Sequence, residues 1–271
     1  MSSSTSYAHT TLVVGATGET GKHVVHQLLQ NENHRVKVLV RSQQKMVQLL
    51  RDLGSNYNIT NNLEIIEVPT FQELSQDDLT RHVAGCDSVV SCLGHNLTVK
   101  AIWGRKDRGL VVKAATRLSK AIQANNNQAK LIFMGSDGVA HPAGTDNVRS
   151  LGDRIILSIL RTLVPPQSDN EAAAKTLFDL GTKSGLEWCV VRPTDLINED
   201  DITEYTLYDK PPGGLFGDGV ASRINVAAFM VDLILAKDTW AKYKYQMPVL
   251  HNKDAAAKKT KKEDTKGSSL S

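Results

Sequence analysis

Short runs of β-branched and aliphatic residues alternate along this chain with longer stretches in which apolar positions return every three or four residues. That alternation is the pattern of a parallel sheet, its strands buried on both faces and covered by helices. Thr11–Val14 reads as the first strand, followed by a helix from about Gly18 to Gln30 with Val24, Val25, Leu28 and Leu29 on one face. Arg35–Val40, Leu63–Val68 and Ser88–Ser91 are the next three strands. Ser42 is placed to cap a helix carrying Met46, Leu49 and Leu50, and Ser75 to cap a short helix ending at His82. Arg108–Gln123 is a long amphipathic helix and Leu131–Met134 the fifth strand. Ile155–Leu163 is an apolar helix stopped by Pro165-Pro166, and Asn170–Leu180 is a further helix. Trp188–Arg192 is the sixth strand, Val226–Ala236 a late helix and Met247–Leu250 the last strand. The expected fold is α/β, a doubly wound parallel sheet in a three-layer α/β/α sandwich. One domain spans 11–251, after a flexible N-terminus at 1–10, with a small substrate region at about 195–225 and a disordered basic tail at 252–271.

The strongest chemical signal is Val13-Val14-Gly15-Ala16-Thr17-Gly18-Glu19-Thr20-Gly21-Lys22, between the first strand and its helix. There a glycine-rich run makes a phosphate site. Gly15 lets the chain turn off the strand, Gly18 admits a pyrophosphate close to the backbone, and Gly21 lets the helix pack on the sheet. The helix then offers unpaired N–H groups and its positive end to the phosphate. The second strand ends Val40-Arg41-Ser42, with no acidic residue where an NAD enzyme binds the ribose 2′-hydroxyl. A guanidinium pairs with a 2′-phosphate that a carboxylate repels, so Arg41, helped by Ser42 and Lys45, points to NADP(H) in preference to NAD(H).

The Gly-x-x-Gly-x-x-Gly spacing in this setting resembles the short-chain dehydrogenase/reductase superfamily, and specifically its atypical NAD(P)H-binding, NmrA-like branch with a Rossmann fold. The resemblance runs from about Thr11 to Leu250. It implies that Thr17, Gly18, Glu19 and Thr20 line the pyrophosphate. It also implies that Cys92, Leu93 and Gly94 lie over the nicotinamide-side ribose, with His95 toward the substrate. Ser136, in Gly135-Ser136-Asp137-Gly138, matches the substrate-polarising Ser, although the same run also makes a turn for its geometry alone. Arg192-Pro193 matches the strand end that borders the nicotinamide. Arg223 falls in the turn that closes the site, and Tyr205 in the variable substrate loop.

One departure matters for activity. The superfamily's proton donor is a Tyr four residues before a Lys, and the matching segment here reads Asp169-Asn170-Glu171-Ala-Ala-Ala-Lys175. Lys175 is present, but Glu171 stands in the Tyr position. A carboxylate acts as an acid near neutrality only if burial raises its pKa, and the i, i+4 spacing equally makes a helix-surface pair.

Charge and composition narrow the partners. Of the net charge of +3, the segment from Asn252 to Ser271 contributes six lysines against three acids, so the body is near neutral and offers no basic face for nucleic acid. No run is long enough to span a membrane, and Met1–Tyr7 lacks the basic and apolar regions of a secretion signal. Three scattered cysteines suit a reducing compartment and exclude a CxxC metal site. These features describe a cytoplasmic protein whose basic cluster, Lys258-Lys259-Thr260-Lys261-Lys262, is the only element suited to nuclear entry. Two readings remain for a monomer or dimer. One is an NADPH-dependent reductase of a small carbonyl, quinone or flavin-like acceptor. The other is a non-catalytic NmrA-like redox sensor that holds NADP(H) and changes a protein partner.

Overall fold

The computed structural model describes residues 7–54, 62–94, 109–126, 129–146, 165–212 and 219–253. The helix expected at 155–163, His95 and the tail from residue 254 lie outside them. Strand β1 (His9–Val14) leads through α1 (Gly21–Leu28) to β2 (His34–Val40). Then come α2 (Gln43–Asp52), β3 (Leu63–Glu67), α3 (Gln76–Val83) and β4 (Ser88–Ser91). Helix α4 (Leu110–Ala124), β5 (Lys130–Met134), α5 (Pro165–Ser184) and β6 (Trp188–Pro193) follow. The chain continues through β7 (Asp195–Ile197), β8 (Tyr205–Tyr208) and β9 (Val220–Ser222). It ends with α6 (Arg223–Leu235), α7 (Lys237–Tyr243) and β10 (Val249–Asn252).

The main sheet has the order β3-β2-β1-β4-β5-β6-β10-β8, parallel except for β8, and β7 and β9 pair separately. The order reverses between β1 and β4, where Val13 lies opposite both Val38 of β2 and Val90 of β4. In open α/β sheets that switch point is where the crevice for a ligand opens. Alternate strand residues build two cores: Leu12, Val14, Leu131 and Phe133 pack beneath α3, α4 and α5, while Val13, Val38, Ile132 and Val191 pack beneath α1, α2 and α6. The result is the expected doubly wound, three-layer Rossmann-like sandwich. Ser42 and Ser75 cap their helices as expected, accepting from the Lys45 and Asp78 amides. Among the described residues, no helix is long and apolar enough to cross a membrane.

Several details differ from the sequence reading. Helix α5 begins at Pro165, ahead of the expected start at Asn170, because a proline in the first turn forfeits only an N–H that has no helical partner. The stretch read as a substrate loop contains β7 and β8, and β8 closes the sheet edge antiparallel to β10, with Leu207 opposite Leu250.

Two side chains cap helices from a distance. Gly109, in the left-handed region at φ +73°, gives α4 no capping side chain. The buried Asp169 carboxylate supplies that cap from α5, accepting from the Val111 and Val112 amides at 2.9 and 3.0 Å. Lys130 Nζ donates to the Leu233 and Ile234 carbonyls at the far end of α6. Asp169→Ala is expected to cost about 2–3 kcal/mol in urea unfolding, the range for losing charge-assisted bonds to a buried helix end, and Asp169→Asn less.

Toward the amino-terminal ends of β1, β2 and β4, away from the crevice at their carboxyl ends, Thr11, His34 and Ser88 form a buried polar cluster. Thr11 Oγ1 lies 2.7 Å from His34 Nε2 and 2.6 Å from Ser88 Oγ. His34 Nδ1 is buried without a partner among the described residues, so an added proton finds no acceptor among them. Burial and the nearby His9 charge lower the His34 pKa from 6.5 to about 4, against a smaller opposing pull from Asp87. The folded state therefore binds fewer protons than the unfolded chain between those values, and stability falls as pH drops from about 6.5 to about 4. Denaturant unfolding across that window is expected to show a loss approaching about 3 kcal/mol in the wild type. His34→Gln should lose clearly less, and equal losses in the two proteins would refute this account.

Candidate functional site

The turn from β1 into α1 is held by its glycines. Gly15 has φ +76°, and a Cβ there would lie 2.6 Å from the Cys92 carbonyl carbon and 2.8 Å from the Leu93 nitrogen. A Cβ on Gly21 would collide with the Gly15 carbonyl oxygen, and one on Gly18 would sit 3.2 Å from that oxygen. The turn thus lies flush against the end of β4, and the Gly18 amide closes it by donating to Gly15 O at 3.0 Å. Thr20 is buried and makes no capping bond. Among the described residues, the Glu19, Thr20 and Gly21 amides have no backbone acceptor. Free helix-start amides beneath a Cβ-free turn make a cradle for a phosphate. Thr17 is half-buried at its rim, while Glu19 is exposed and bound to Lys22 at 2.7 Å. Its hydrogen bond to Lys22 holds the Glu19 carboxyl below its ordinary range, with the charges of Lys22, Arg223 and His23 adding to the effect and burial opposing it.

Strand ends border this cradle. Arg41, just past β2, is exposed and has no side-chain partner among the described residues. Ser42 Oγ is engaged with the Lys45 amide at 3.2 Å, and Glu67 from β3 accepts from the Gln43 amide at 2.9 Å. Past β4, Leu93 is half-buried and Gly94 exposed. The Cys92 backbone abuts Gly15, but its sulfur is buried toward Met230, which pushes the thiol pKa to about 12. Cys92 is therefore a packing thiol whose backbone, not its sulfur, faces the turn.

A family model for NAD(P)H-binding proteins matches residues 15–237. The chain belongs to this NAD(P)H-binding family. No curated protein matches. Solved structures share the fold at low identity. A Rossmann-fold NAD(P)-binding family protein from Shigella flexneri is 21% identical with a TM-score of 0.61, covering 90% of this chain and 94% of its own. A short-chain dehydrogenase/reductase from Veillonella parvula in complex with NADP is 17% identical with a TM-score of 0.63, covering 91% and 96%. The yeast methylglyoxal/isovaleraldehyde reductase Gre2, complexed with NADPH, is 15% identical with a TM-score of 0.59, covering 85% and 75%.

Within this NAD(P)H-binding fold the groups expected to do chemistry are dispersed. The buried stripe of α5 is Asp169, Ala173 and Leu177, with Ala174 and Gly181 beside it. Lys175 follows Ala173 by two residues, roughly 200° around a helix, and so faces solvent. It pairs with Asp179 on its own helix at 2.8 Å. Glu171 lies four residues before Lys175 and outside that stripe, and the ion pair that Lys175 makes is with Asp179, not with Glu171. Ser136 Oγ accepts from the Gly138 amide at 3.2 Å, the turn-forming arrangement, and its hydroxyl lies 3.4 Å from Asp137. Tyr205 donates to Asp232 at 3.4 Å and packs on Phe229, so it braces β8 on α6.

Arg192 departs most clearly from expectation. It is fully buried, and all five of its N–H donors are taken. Nε donates to Met247 O at 2.6 Å, and Nη1 to Val139 O at 2.9 Å and Asp146 at 2.7 Å. Nη2 donates to Asp146 at 3.1 Å and Asp209 O at 3.3 Å. No donor is left for a cofactor, so Arg192 is a structural hub joining the loop after β5, the end of β8 and the approach to β10. Burial raises the Asp146 pKa, but the bonds and charge of Arg192 outweigh it and hold the carboxyl below its ordinary range. Pro193, beside it, accepts from the Asp137 amide at 3.1 Å and so positions the Ser136 turn. Asp146, Asp169 and Glu67 are the residues that sequence reading missed. Each pairs with a group distant in sequence, and no local pattern marks it.

Lys175→Ala is expected to leave any NADPH-consuming rate within about twofold of wild type and stability within about 0.5 kcal/mol. A steady-state rate that fell tenfold or more in this variant would return Lys175 to the reacting centre.

Proposed function

We propose that the protein is an NADP(H)-binding atypical dehydrogenase/reductase that works as an NADPH-dependent reductase of a small carbonyl, quinone or flavin-like acceptor. The observation that carries the cofactor half is Arg41, an exposed guanidinium without a partner among the described residues, at the end of the strand next to the phosphate turn. The residues present fit the dinucleotide. The Gly15–Gly21 turn leaves the space a Cβ would fill, its free amides suit a pyrophosphate, and Arg41 suits the 2′-phosphate. When bound, the reduced nicotinamide supplies the hydride.

The chain's own part is to bind, orient and exclude water. Leu93 and Gly94 edge the reacting end, and among the described residues the Ser136 hydroxyl is the side-chain proton group this reading assigns there, once Lys175, Glu171 and Tyr205 are set aside. An acceptor that takes its proton from solvent suits this arrangement better than one needing a Tyr–Lys pair. Three free, buried cysteines fit a cytoplasmic setting. The dispersal of candidate acid–base groups favours a second reading, a sensor that holds NADP(H) without turnover and changes a protein partner with its redox state.

Calorimetric titration tests the cofactor half. NADPH is expected to bind more tightly than NADH, with Arg41→Ala weakening NADPH by about ten- to a hundredfold and leaving NADH unchanged. Equal affinities for the two cofactors in wild type would end the NADP(H) assignment. NADPH oxidation with quinones, aldehydes and flavins then separates the readings. Turnover supports the reductase, and tight binding without turnover, together with a partner released on cofactor oxidation, supports the sensor.

A further inference from the structure

We propose that Arg223 is a phosphate ligand of the dinucleotide, a second cation that grips the pyrophosphate from the α6 side of the turn, instead of the substrate contact its sequence position suggests. The inference rests on the NADP(H)-binding reading above.

Arg223 opens α6, whose first turn is fixed by Ser222 Oγ accepting from the Asn225 amide at 3.2 Å. That turn lies against α1, because Gln27 Nε2 of α1 donates to the Ile224 carbonyl at 3.3 Å. The guanidinium is anchored at one edge only. Nη1 donates to Leu196 O at 3.2 Å and to Asn198 Oδ1 at 2.8 Å. Among the described residues, Nε and Nη2 have no acceptor, so three N–H donors remain on a planar group already held in place. A guanidinium fixed in this way presents its other edge for bidentate binding with little further loss of side-chain freedom.

Arg223 is close enough to the phosphate turn for its charge to act on Glu19 and on His23. The turn's own cation, Lys22, is already bound to Glu19 at 2.7 Å, so the two charges cancel locally. A pyrophosphate brings negative charge to a turn that carries Glu19. Like Arg41 past β2, Arg223 is a cation near that turn whose charge no carboxylate partner among the described residues takes up. The backbone amides and Arg223 would therefore hold the pyrophosphate from two sides.

The test is calorimetric titration of NADP⁺ into wild type, Arg223→Met and Arg223→Lys at low and at high salt, with thermal unfolding of each as a control on the fold. Arg223→Met is expected to weaken NADP⁺ by about tenfold or more and to flatten the salt dependence of binding, with Arg223→Lys recovering part of both. A variant with a lowered Tm but wild-type affinity and salt slope would show that Arg223 only pins Leu196 and Asn198, and the proposal would fall. So would an Arg223→Lys variant no better than Arg223→Met. Wild type that binds no dinucleotide would overturn the cofactor reading itself. Wild type that binds NADP⁺ alongside an unaltered Arg223→Met would overturn this assignment alone.

Discussion

Gly15 leaves β1 in the left-handed region and sets its Cα against the carbonyl and amide at the end of β4, with no room for a side chain between them. The rest of the site depends on this contact. It brings the turn down onto the point where the strand order reverses, so the start of α1 opens over the crevice and not over the sheet face. Because Gly21 is also pressed against Gly15, helix and turn move as one piece, and the free amides of Glu19, Thr20 and Gly21 keep one orientation. A cradle formed in advance loses little entropy on binding, which is how a few backbone groups hold a large anionic cofactor.

The far half of the molecule is organised by a charge instead. The Arg192 guanidinium, buried with Asp146, gathers three chain segments that are distant in sequence around one fork of donors. Losing either partner would strand the other in the interior, a far larger effect than breaking a surface pair. The two halves use different physics: the cofactor turn relies on the absence of side chains, and the opposite wall on one side chain that is fully satisfied.

Local signals carried much of the fold into the sequence. The strand runs, the glycine turn and the serine caps at Ser42 and Ser75 are readable because each is decided within a few residues. What escaped was decided by distant partners. Strand β8 exists because β10 is there to pair with it, and Asp169 caps α4 from another helix. The register of α5 is the instructive case. Spacing alone made Glu171 and Lys175 a motif, whereas the small and apolar positions Ala173, Ala174, Leu177 and Gly181 mark the buried face and leave Lys175 outside it. A motif on a helix is worth only as much as the face it occupies.

The stretch between β7 and β8 is tied down more firmly than a loop of its length requires. Thr203 and Asn225 exchange bonds, each at 2.9 Å, Asn225 also donates to Asn252 at 2.9 Å, and Asn252 donates to Glu199 at 3.0 Å. These links join the stretch to the buried Asn225 at the start of α6 and the buried Asn252 at the end of β10. To swing outward it would have to break these bonds together. It is a wall and not a door. A ligand that enters the crevice does so without this stretch having to move.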